Sequence, residues 1–183
     1  MWTKRRILVS LLAVAALGLL ALSVSACGAS NDSNDVNEGE PVTLGNLQYN
    51  VTFSRYLNAN DSEDSAYLVG QAEPPPEETY FGIFFEVQNE SDEPQKLPTE
   101  MSVTDADGNE YEVIPSESLY ALELGGEVAA EEQVPVLDSP AQQGPIEGSA
   151  VIVLLPDEAS SNRPLVLHIP GEDEEEANIT LDL

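Results

Sequence analysis

"TYFGIFFEVQN", residues 79–89, decides how this chain folds. Phe81, Ile83, Phe85 and Val87 recur at every second position, the period of a strand with one face in a core. Phe84 stands on the opposite face, so this strand is expected to be central and covered on both sides. Working outward, the same signature returns with turn residues between. Leu47, Tyr49, Val51 and Phe53 alternate with polar residues and are expected to share one face. "AYLVG" (66–70) reads as a short strand, and "QAEPPPEE" (71–78) as a stiff extended link. "MSVTDADGNEYEVI" (101–114) reads as a hairpin around Asp107-Gly108. "GSAVIVLLP" (148–156), "PLVLHIP" (164–170) and "NITLDL" (178–183) complete the strands. "SESLYALELGGEVAA" (116–130) fits a short helix or irregular chain, and "DEASSN" (157–162) a loop or one helical turn. With about seven or eight short strands and frequent Gly and Pro turns, the fold class is all-β. The expected architecture is an antiparallel, immunoglobulin-like β-sandwich over residues 42–183, with a barrel of similar strand count as the alternative.

The N-terminus carries an address. Lys4, Arg5 and Arg6 precede an apolar run at residues 7–24, and small residues follow up to Cys27. This is the layout of an export signal, with an uncleaved transmembrane helix as the alternative. "VSAC" (24–27) resembles the lipobox of bacterial lipoprotein signal peptides. The resemblance implies removal of residues 1–26 and lipidation of Cys27, by diacylglycerol and an amide-linked acyl chain such as palmitate. Lipid chains contribute ~0.8 kcal/mol per buried CH₂, and two or more hold a protein stably on a bilayer. Arg5 and Arg6 also resemble a twin-arginine signal, but the leucine-rich run fits general secretion better. Residues 27–41, polar and acidic with Val36 the lone apolar residue after Ala29, read as a disordered tether that holds the domain away from the membrane.

Charge narrows the partners. The chain has 34 acidic residues, and cleavage would leave three cations, Arg55, Lys96 and Arg163. Such a surface disfavours nucleic acid and anionic lipid faces. It suits a salty exterior, where screening acts over ~8–10 Å. Cys27 is the single cysteine, so the domain is expected to fold without a disulfide.

No motif specifies a reaction. Asp105, Asp107 and Asn109 sit at alternating positions, as at the start of a calcium loop. Gly108 is misplaced for that loop and no glutamate closes it, so a turn requiring positive φ is the better reading. His168 is the single histidine and is expected on the solvent side of its strand, without chemistry. Met101 lacks the soft partners a copper site needs. The acid pairs Glu77–Glu78, Glu131–Glu132 and Asp157–Glu158 could serve glycosidic chemistry, but proximity is expected by chance among so many acids. Catalytic, metal and cofactor residues are therefore expected to be absent, with lipidation at Cys27 the one assigned modification.

"FFEVQNESDEPQKLP" (84–98), "VTDADGNEY" (103–111), "GPIEGSAVIVLLPD" (144–157) and "PLVLHI" (164–169) follow in an order that resembles an immunoglobulin-like bacterial lipoprotein domain of unknown function. That family is related in fold to a mycobacterial secreted immunoprotective antigen. The resemblance implies a sandwich on the extracytoplasmic face of the cell membrane. The expected function is a lipid-anchored binding or structural module of the envelope, with a protein or polymer partner and no enzymatic activity. A carboxylate-based surface hydrolase and an acidic envelope module without a specific ligand are the alternatives.

Overall fold

The computed structural model describes residues 34–172 and 174–181. Among them the chain is strand and loop, apart from 3₁₀ turns at Asp64–Ala66 and Asp157–Ser160. The strands are β1 (Asp35–Asn37), β2 (Val42–Leu44), β3 (Leu47–Tyr56), β4 (Glu78–Asn89), β5 (Gln95–Lys96) and β6 (Ser102–Thr104). They continue with β7 (Glu110–Ile114), β8 (Glu127–Val128), β9 (Gln133–Val134), β10 (Ser149–Pro156), β11 (Leu165–Pro170) and β12 (Glu176–Leu181).

The hydrogen-bonded order is β1-β12-β11-β6-β7-β10-β4-β3-β2, with β9 also on β4 and β5 paired to β8 alone. This path folds into two layers at β7. Residues Glu110–Glu112 of β7 pair with β6, whereas Val113 and Ile114 pair with β10. A strand that changes sheets forms a corner, and here it joins the two halves of a sandwich. All pairings are antiparallel except that of β1 with β12, which is parallel.

The core follows the alternation in the sequence. Phe81, Ile83, Phe85 and Val87 of β4 meet Val151, Val153 and Leu155 of β10 between the layers. Leu165, Leu167 and Ile169 of β11 and Ile179 of β12 close on them from the other sheet. Phe84 and Tyr80 point the opposite way, into a second cluster with Tyr67, Leu57 and Ile152. The central position expected for β4 is therefore observed, with both faces buried. Tyr67 locks the outer cover: its hydroxyl donates to the Ile146 carbonyl (3.0 Å) and accepts from the Ile146 amide (2.8 Å). Where β10 begins, Gly148 has φ +98°, and a Cβ there would lie 2.6 Å from the Phe85 carbonyl oxygen. Only glycine fits both that conformation and that approach.

The expected sandwich is present, but the strand inventory differs. Residues 35–37, read as tether, form β1, whose register sets Val36 opposite Ile179. Val36 packs against the core, and the Glu38 carboxylate accepts from the Ser54 amide (3.1 Å) and hydroxyl (2.5 Å). One apolar side chain and edge pairing are enough to order the segment once the sheet beside it exists. Phe53 does not share the face of Leu47, Tyr49 and Val51. A bulge between Val51 and Phe53 turns it outward, where it stacks on Phe84 at 4.6 Å between ring centroids. Residues 66–70 are not a strand. They leave the first 3₁₀ turn, held because Asp64 pairs with Arg55 and accepts from the Asn58 amide (2.8 Å). Residues 116–130 are irregular except for β8.

Candidate functional site

The residues singled out in the sequence do not converge. Cys27 and the leader lie outside the described residues. Met101 is buried in the core. Glu131 occupies a turn with φ +59°, and Asp157 opens the second 3₁₀ turn, accepting from the Thr79 hydroxyl (2.9 Å). Glu77 is likewise a turn residue, with φ +69°.

Asp105 is a structural hub. Its Oδ1 accepts from the amides of Asp107 (3.0 Å) and Asn109 (2.9 Å). Its Oδ2 accepts from Asn109 Nδ2 (2.9 Å) and the Tyr111 hydroxyl (3.0 Å). Both oxygens are thereby engaged within the turn. Gly108 completes it at φ +82°. The bonds from Asn109, then Tyr111 and Asp107, hold the Asp105 carboxyl down to about 2. Burial first, and then the bond to Asp105, push the Tyr111 phenol up to about 12. A depressed folded pKa stabilises the protein above the ordinary value of 3.8 and loses that contribution as pH falls towards 2. Asp105→Asn should therefore be destabilised at neutral pH, and its gap from the parent should close between about pH 4 and pH 2. Urea unfolding across that range checks this, and a gap independent of pH would contradict the turn-hub role.

His168 projects from β11 opposite Leu165, Leu167 and Ile169, as its position in the alternation predicts. Its Nε2 shares a hydrogen bond with the Thr104 hydroxyl (2.7 Å) and its Nδ1 faces Glu176 Oε1 at 3.2 Å. It lines a groove of about 990 Å³ at the seam where β7 changes sheets. Met101, Val113, Ile114, Leu122, Ala150 and Val151 are among its apolar lining. Glu100, Glu110, Glu112, Glu117, Glu123 and Glu176 line it, and every one of these glutamates is exposed. Leu119, also lining it, is 65 % exposed. The lining includes no lysine, arginine or aromatic residue.

Sequence reading missed this site. Glu110 and Glu112 share one face of β7 by alternation, which was a readable signal. The other four acids arrive from β12 and from the loops before β6 and after β7, a juxtaposition that only the corner at β7 creates.

No family model matches the chain, and no curated protein matches its sequence. In fold, the chain is similar to the yjhA protein from Bacillus subtilis, with a TM-score of 0.54 and 14% identity over 80% of this chain and 99% of that one. It is also similar to an uncharacterized β-sandwich protein from Clostridium difficile 630, with a TM-score of 0.49 and 14% identity over 81% of this chain and 93% of that one. The secreted protein MPT63 from Mycobacterium tuberculosis gives a TM-score of 0.49 at 10% identity, over 81% of this chain and 96% of that one. Among the described residues no helix is long and apolar enough to cross a membrane.

Proposed function

We propose that this protein is a lipid-anchored, extracytoplasmic binding module of the cell envelope and not an enzyme. The seam groove carries the binding part of the reading: an apolar lining inside a polar, charged rim is how a recognition surface is built. The glutamates around it are exposed, and a carboxylate used as a general acid is normally raised by burial. This weighs against the hydrolase alternative. Acids gathered around one groove also favour a ligand over a featureless charge layer.

The anchor rests on "VSAC" after a cationic and apolar leader. With β1 starting at Asp35, the eight residues from Cys27 to Asn34 can reach no more than ~26–29 Å, at 3.3–3.6 Å per residue. A lipidated Cys27 would therefore hold the start of β1 within that reach of the bilayer. The test is growth with an alkyne-bearing palmitate analogue, followed by mass spectrometry of the purified protein. Label on a chain beginning at Cys27 is expected, with Cys27→Ser abolishing both label and membrane fractionation. An intact leader with a free Cys27 thiol would overturn the anchor.

A further inference from the structure

We propose that the seam groove binds an extended, cationic and amphipathic peptide segment of a partner protein. This rests on reading the protein as a binding module and names the ligand class. Two properties of the groove set the ligand's chemistry together. The half-buried Val113, Ile114, Ala121 and Leu124, beside exposed Leu119, reward apolar side chains. The rim of six glutamates, with no cation among the lining residues, demands positive charge. Lining residues come from β12, β11, β6, β7 and β10. At ~4.8 Å between neighbouring strands, that crossing is on the order of 15–20 Å, or about five or six extended residues.

Other occupants fit less well. Neutral glycans are commonly held by aromatic platforms, and the lining has no Phe, Tyr or Trp. Among the described residues no three acids or His converge closely enough to hold a metal ion. A second copy would bring its own acidic surface, since the whole chain has six cations against 34 acids. An extended peptide alternating basic and apolar residues meets both demands at once, because its side chains face opposite ways at every step.

The probe is a short fluorescein-labelled peptide alternating lysine and leucine, titrated by anisotropy against the full protein in neutral detergent at ~0.15 M salt. Lysine–serine and glutamate–leucine peptides are the controls. Saturable binding of the lysine–leucine peptide is expected. Glu110→Gln with Glu112→Gln should weaken it about tenfold, and Leu119→Ser severalfold. Glu127→Gln with Glu132→Gln removes the same charge from exposed positions outside the groove and should change it less than twofold. Glu117→Gln with Glu123→Gln is the second groove pair, should the first fail to fold. Equal weakening by the groove and control pairs would reduce the effect to net charge and overturn the proposal. So would lysine–serine binding as tight as lysine–leucine, or no binding at all. The titration does not depend on the lipid, so an anchor that fails its own test would leave this result intact.

Discussion

Phe85→Ala will lower the stability of the protein by about 3–5 kcal/mol, the usual cost of emptying a fully buried aromatic position. Phe85 is completely buried between the two layers, with β3 on one side at Val51 and β10 on the other at Ser149. The loss within that range scales with the cavity the ring leaves behind. Phe85→Leu keeps most of the volume and should lose much less, under about 2 kcal/mol. Urea unfolding of the full protein reads both, with the slope unchanged and the midpoint shifted. A loss under about 1 kcal/mol for Phe85→Ala would mean that the layers do not meet at this ring.

The position of Phe85 was legible because β4 is long and carries apolar residues at every second position; β11 was legible by the same alternation, and β10 as a continuous apolar run. Where an element is short, period two has nothing to count. β5, β8 and β9 are pairs of residues, formed because neighbouring loops run alongside one another. "AYLVG" shows the opposite failure. Tyr67 and Leu68 are buried as expected of a strand, but they reach the core from a turn, and Val69 beside them is exposed. Hydrophobicity reported burial there and not conformation. The bulge at Thr52 left no mark in the pattern, since Phe53 finds an equally apolar home on the outer face beside Phe84. The Asp105 turn was legible from local chemistry alone. The groove was not, because its acids meet only after β7 has turned the corner.

Asn89→Asp will be as damaging as the loss of Phe85, although it alters no volume. Asn89 ends β4 and is fully buried. The two hydrogens of its Nδ2 are shared among three carbonyls, Glu93 (2.8 Å), Ala129 (2.9 Å) and Val128 (3.1 Å). Its Oδ1 accepts from the Ser91 amide (3.0 Å) and hydroxyl (2.8 Å). One side chain thus closes the 89–93 turn and ties it to β8 and the residue after it. An aspartate keeps the accepting half and inverts the donating half, setting a carboxylate oxygen against three carbonyl oxygens. The Glu93 carbonyl keeps the Ser91 hydroxyl as a donor (2.9 Å), but a buried acceptor left unpaired costs roughly 1–3 kcal/mol, and an unpaired buried charge adds to it. The expected total is at least about 4 kcal/mol at neutral pH. Protonation restores one donor, so the deficit should shrink as pH falls, opposite in direction to a general acid destabilisation. Asn89→Ala removes the ligand of all three carbonyls without introducing charge and should fall between the parent and Asn89→Asp at pH 7. If aspartate proves milder than alanine there, the amide nitrogen is not what holds these carbonyls, and the turn is secured by Ser91 and the β5–β8 pair instead.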